Sequence, residues 1–187
     1  MKELETRVVD IDVDRIRETL KRLGAEKVKE EYQTNNIYDF EDNRLLNAKG
    51  YARIRITDDR LNNKEVVYMT TKKMLSQDTF KVMEENETVV EDKEAASKIY
   101  TSLGLILKES IKKYRESYRI MDSLVEIDIN DKSFCPFPYL EIETTSEEKL
   151  KEILALLGYG IEDTTSKTIY ELLEERGLSK NNKGKGL

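Results

Sequence analysis

The chain has 187 residues, enough for one domain or two small ones with a substantial core, and one domain is the expectation. Its formal net charge is −6 with 37% charged residues, which argues against a nucleic-acid-coating protein and confines any anion site to a local patch. The absence of His removes Ser-His and Cys-His nucleophilic catalysis, His-ligated zinc and imidazole acid-base chemistry together.

Along the chain, Glu3, Glu5 and Arg7 alternate with Leu4, Thr6 and Val8, a period of two that predicts a strand with one charged face. Asp12 or Asp14 can cap a helix carrying Ile16, Leu20 and Leu23, with Gly24 placed to end it. Strands are expected around Asn36 to Phe40, Tyr51 to Thr57, Lys64 to Lys72 and Phe80 to Val90, with loops at Asp58 to Asn63 and Met74 to Thr79. A second helix, Lys93 to Leu103, stops at Gly104. Three more strands follow, Lys112 to Met121, Ser123 to Asn130 and Tyr139 to Thr144, with an irregular connection at Pro136 and Pro138. A third helix, Glu147 to Leu157, stops at Gly158, and Ile169 to Glu175 reads as a short helix. The expected organisation is a single domain over 1–176 and a flexible Lys-rich tail over 177–187.

No apolar run approaches the roughly 18 residues of a membrane span, and no charged-then-apolar leader follows Met1, so a cytoplasmic protein without membrane contact is expected. The single cysteine, Cys135, can form no intrachain disulfide and reads as a structural thiol.

The recurrent feature is a same-sign charge pair at i and i+2: Glu3/Glu5, Arg53/Arg55, Glu85/Glu87, Lys113/Arg115, Glu126/Asp128 and Glu141/Glu143. Each pair points to one face of its strand, while Ile54, Ile56, Val125, Ile127, Leu140 and Ile142 point to the other. A solvated face explains any single pair. It gives no reason to segregate signs by strand, because like charges about 7 Å apart repel. Curling the sheet sets acidic strands opposite basic ones, and a polar-lined barrel whose outer face is covered by helices is an available solution. Its carboxylates would recruit Mg²⁺ or Mn²⁺ through oxygen donors, and its Arg and Lys would recruit phosphate oxygens. A triphosphate with its metal satisfies both halves.

The ordered motifs resemble those of the CYTH superfamily, the triphosphate tunnel metalloenzymes, which include class IV adenylyl cyclases and thiamine triphosphatases. Glu3, Glu5 and Arg7 occupy the family's E-x-E-x-K strand. Tyr38-Asp39, Arg53/Arg55, the MTTK segment ending in Lys72, Glu85/Glu87, Lys113/Arg115 with Tyr118, Asp128, YLEIE with Glu141 and Glu143, and TIYELL around Tyr170 follow in order. The resemblance implies an α+β fold: an eight-stranded antiparallel β-barrel, or tunnel, with a charged interior and helices outside. It implies a catalytic strand of Glu3, Glu5 and Arg7. Metal would be held among Glu3, Glu5, Glu126, Asp128, Glu141 and Glu143, and triphosphate by Arg53, Arg55, Lys72, Lys113 and Arg115. Glu85 and Glu87 would complete the metal shell or pair with the basic strands. Two departures stand out: Arg7 replaces the hallmark Lys, and Met83 occupies a position where many relatives are basic, which would either weaken the phosphate grip or shift it to Lys81.

The leading expectation is metal-dependent hydrolysis of inorganic tripolyphosphate or an organic triphosphate, a reaction that needs no His. Cyclisation of ATP, binding of polyphosphate or nucleotide without turnover, and a solvated β domain are the alternatives. The partner is a triphosphate-containing small molecule, not nucleic acid, and a homodimer is left open.

Overall fold

The computed structural model describes residues 2–77 and 81–178, with the side chains of Lys2, Glu3 and Lys81 outside that description. The chain runs β1 (Lys2–Val9), α1 (Val13–Arg22), β2 (Glu26–Asp39), α2 (Arg44–Asn47), β3 (Tyr51–Asp59), β4 (Lys64–Gln77) and β5 (Lys81–Val90). It continues through α3 (Lys93–Ser102), β6 (Ile106–Ile120), β7 (Ser123–Asn130), β8 (Tyr139–Thr144), α4 (Glu147–Leu157), β9 (Thr164–Thr165) and α5 (Ile169–Glu175).

The sheet order is β5-β4-β3-β2-β6-β7-β8-β1, and β1 also pairs with β5, so eight antiparallel strands close into a barrel; β9 adds a short pairing at Arg7 and Val8 of β1. Closure removes the exposed sheet edge that an open arrangement would leave.

The apolar core lies outside the barrel wall. Val8, Val125, Ile127, Leu140 and Ile142 face outward and are buried beneath Ile16 and Leu20 of α1 and Leu150, Ile153, Leu154 and Leu157 of α4. A second cluster joins Tyr38, Ala52, Ile54 and Val67 to Ala96 and Tyr100 of α3, and a third joins Cys135, Phe137 and Tyr139 to Leu172 and Leu173 of α5. Full burial of each such aliphatic side chain contributes about 1.5–3 kcal/mol. With the wall's apolar face directed outward, the alternate residues must face the lumen.

Local signals set the helices. The Asp12 carboxylate accepts from the Arg15 amide at 3.1 Å, so the nearer of the two candidate caps starts α1. Ser146 caps α4, and Gly158 ends it at φ 79, a conformation in which a side chain would be strained. A Thr168/Glu171 capping box starts α5.

Several strands are longer than their sequence suggests. β2 begins at Glu26 rather than Asn36 because its buried face carries Glu31, Gln33 and Asn35, which no apolar alternation announces. β6 begins at Ile106 rather than Lys112. The expected Met74 to Thr79 loop is corrected as far as Gln77, where β4 ends; residues 78–80 lie outside the described residues, as does the tail from Ser179 onward. α2 and β9 are additions, each too short for a periodic signal. Cys135 is buried and its thiol faces the Phe137 carbonyl at 3.4 Å; burial raises its pKa, consistent with a structural role.

Candidate functional site

The lumen encloses a cavity of about 460 Å³, and the strand pairs that carry like charges line it. β3 contributes Arg53 and Arg55, β4 Lys72, β5 Glu85 and Glu87, β6 Lys113 and Arg115, β7 Glu126, β8 Glu141 and Glu143, and β1 Glu5 and Arg7. Asp128 of β7 is fully buried beside Lys113 and Arg115. Glu3 lies in β1, its backbone opposite Met83, with its side chain outside the described residues; Met83 itself is buried in the lining.

Two ion networks meet across β1. On one side Arg55 reaches Glu87 at 2.9 Å, Arg53 approaches Glu87 at 3.3 Å and Glu85 at 3.4 Å, and Lys72 bridges Glu85 at 3.0 Å to Glu5 at 3.3 Å. The Thr70 hydroxyl donates to Glu87 at 2.6 Å. On the other side Arg115 donates to both oxygens of Asp128, at 2.6 and 2.5 Å, and to Glu141 at 2.6 Å, and it pairs with Glu126. Lys113 donates to Asp128 at 2.7 Å. Arg7 links the halves, donating to Glu5 at 2.9 Å, to Glu141 and to the Lys167 carbonyl at 2.8 Å, with the Tyr139 ring 5.7 Å away. A lysine has no planar fork with which to reach these acceptors at once, so Arg at this position acts as a clamp. Glu85 and Glu87 pair with Arg53, Arg55 and Lys72 of the basic strands.

Burial works against the charge of Arg7 and Lys72, yet nearby carboxylates outweigh it: Glu141 and Glu5 for Arg7, Glu5 and Glu85 (with the Tyr51 phenol) for Lys72. Both are held above their ordinary values. For Lys113, burial and then the neighbouring Arg115 charge prevail over Asp128 and lower its pKa. Burial and Arg53 lower Arg55 in the same way. Burial is thus the chief cost borne by Lys113 and Arg55, each of which keeps a carboxylate partner, Asp128 and Glu87. The Nε donors of Arg7, Arg53 and Arg55 are buried without a hydrogen-bond partner among the described residues.

The acidic residues fit a hard divalent cation in kind. Register sets Glu5 directly opposite Glu143, and Glu126 directly opposite Glu141, on adjacent strands. Like charges in such positions repel unless a cation lies between them, and all the donors are carboxylate oxygens suited to Mg²⁺ or Mn²⁺. Among the described residues no three acidic, His or Cys side chains are gathered as a ready-made metal shell. Asp128, also expected among the metal ligands, pairs with Arg115 and Lys113, as Glu126 and Glu141 pair with Arg115.

Sequence reasoning missed the lumen-lining Lys29 and Lys49 and the buried Gln33 and Asn35 of β2. Thr168, Ile169 and Tyr170, at the start of α5, line one end of the lumen, the Tyr170 hydroxyl donating to Glu109 at 3.2 Å. Beyond that end a second cavity of about 400 Å³ shares Ile37, Tyr51, Phe134 and Tyr170 with the lumen wall.

A closed antiparallel barrel with opposed acidic and basic strands inside and helices outside defines the class of charged-tunnel proteins. The chain belongs to the CYTH domain family, whose profile matches residues 1–181. A relative from Methanocaldococcus jannaschii, named "Putative adenylate cyclase MJ0240", is 28% identical over 187 residues, covering 95% of this chain and 100% of its own. Among solved structures, PH1819 from Pyrococcus horikoshii OT3 superposes with a TM-score of 0.76 at 23% identity, covering 93% of this chain and 99% of its own. HpAC1 from Hippeastrum, described as a "Putative adenylyl cyclase" that reveals "a dominant triphophatase activity", has a TM-score of 0.62 at 18% identity, covering 100% of this chain and 97% of its own.

Proposed function

We propose that this protein is a divalent-metal-dependent triphosphatase that hydrolyses inorganic tripolyphosphate or an organic triphosphate within the barrel. The observation that carries the reading is the convergence of Arg53, Arg55, Lys72, Lys113 and Arg115 on one lumen opposite Glu5, Glu126, Glu141 and Glu143. The triphosphatase activity described for HpAC1 supports it.

The basic residues bind non-bridging phosphate oxygens and neutralise the charge that develops on the leaving phosphate. Phosphate oxygens take over acceptor positions now supplied by Glu85, Glu87 and Asp128, and the buried Arg Nε groups supply further donors. Arg7 holds Glu5 and Glu141 in fixed orientation beside the phosphate. Glu5, Glu126, Glu141 and Glu143 would hold Mg²⁺ or Mn²⁺, with Glu3 of the same strand the remaining candidate; bound metal supplies Lewis-acid neutralisation of phosphate oxygens.

Incubation with tripolyphosphate and Mg²⁺ or Mn²⁺ should release phosphate in a metal-dependent way. Cyclic AMP and pyrophosphate from ATP, with no phosphate from tripolyphosphate, would instead establish the cyclase reading, which the name of the M. jannaschii relative favours. Tight binding without turnover of any triphosphate would leave a binding protein. The second cavity, with the aromatic rings of Tyr51, Phe134 and Tyr170 in its wall, favours an organic triphosphate over the inorganic one.

A further inference from the structure

Lys27 and Lys29 are two residues apart on β2 and face opposite sides of the barrel wall. In a regular strand they would share a face. The register with β6 shifts between them: Lys27 is opposite Tyr118 and Lys29 opposite Ser117. This is a β-bulge, a device that re-aims a side chain and recurs beside active sites. Lys27 stays on the outer face, donating to Glu30 at 3.0 Å and lying over the Tyr118 ring at 5.5 Å. Lys29 is turned into the lumen lining.

Lys29 differs from the other lumen cations in its partners. Every other lysine and arginine lining the cavity has a carboxylate within ion-pair distance. Lys29, half-buried, has no ion pair or hydrogen bond from its side chain to any described residue. Its place is also distinct. It lies eight residues along β2 from Ile37 in the wall beside α5, about 26 Å at the rise of a strand, and so toward the other end of the lumen. Glu31, opposite Arg115, separates it by one rung, about 7 Å, from the main basic cluster. The extended lysine stem spans that gap.

We infer that Lys29 is a specificity-determining residue that binds the phosphate of the chain farthest from α5, and so selects a linear chain of three phosphates over one of two. The inference rests on the triphosphate reading of the lumen and adds which end of the chain meets which residue.

Calorimetric titration of wild type and Lys29→Gln with pyrophosphate and tripolyphosphate tests it. The substitution keeps a polar side chain and removes the charge from a half-buried position, so thermal stability should be unchanged. Tripolyphosphate affinity should fall about tenfold, the worth of one charge-assisted contact, while pyrophosphate affinity stays within about twofold. Lys29→Arg should restore the discrimination. Equal losses for both ligands, or no loss for either, in a variant whose parent binds tripolyphosphate would overturn the role of Lys29 alone. A parent that binds neither ligand would overturn the triphosphate reading as well.

Discussion

Arg115 sets the residue-scale logic of the lumen. Its guanidinium is held by Asp128 at two points, by Glu141 and by Glu126, and Lys113 shares Asp128. Burial opposes all these charges, and only mutual pairing makes them tolerable. Asp128→Asn leaves two buried cations sharing a neutral amide and should cost about 3 kcal/mol in urea unfolding. Tripolyphosphate should narrow that gap, because its oxygens supply the missing negative charge; a variant as stable as wild type would show that Asp128 does not organise the cations. At this scale the paired charges were legible, since alternation alone puts i and i+2 on one face. Their partners were not: that Arg7 meets Glu141 depends on strands far apart in the chain, and that Glu85 faces Lys72 depends on the register of the β4–β5 hairpin.

Among the elements, α1 is fastened to the wall by a polar cluster as well as by apolar packing. Glu116 faces outward from β6 and accepts from Arg17 at 2.8 Å, Tyr114 at 2.8 Å and Tyr118 at 2.7 Å. Burial opposes its charge, but these hydrogen bonds outweigh it and hold its carboxyl at about 2, against an ordinary 4.5. A depressed carboxylate pKa stabilises the fold above the unfolded value, and that stability is lost as pH falls from 4.5 toward 2. The contribution is roughly 3 kcal/mol. Glu116→Gln should lower stability at pH 7 and flatten this acid-side decline in denaturant melts. If the variant declined as steeply as wild type, other carboxylates would account for the slope. The helices themselves were readable from Asp12 and the glycines, because capping is local chemistry. β2 was not, because a strand with a polar lumen face and a charged outer face lacks the apolar alternation by which strands are recognised.

The whole molecule inverts the usual barrel: its apolar contacts lie between wall and helices, and its charges lie within. Like charges concentrated in a lumen store repulsion that a bound polyanion relieves on the basic side and a bound cation on the acidic side. Thermal melts with tripolyphosphate and Mg²⁺ together should therefore show stabilisation of about 2.7 kcal/mol at a hundredfold excess over Kd. High salt should reduce the effect by screening. A melting temperature indifferent to both would mean that the lumen holds neither ligand.

The sequence by itself determined which residues share a face on the charge-paired strands, where three helices start and stop, and that like charges are sorted by strand, because all of these follow from local periodicity and capping. The tertiary structure alone decided the closure of β1 onto β5, the pairing of each cation with its carboxylates, and the placement of the start of α5 against the lumen. It also decided the bulge that turns Lys29 inward while leaving Lys27 on the outer face. Those features depend on register between strands distant in the chain, and a shift of one residue in register reverses every side chain it touches.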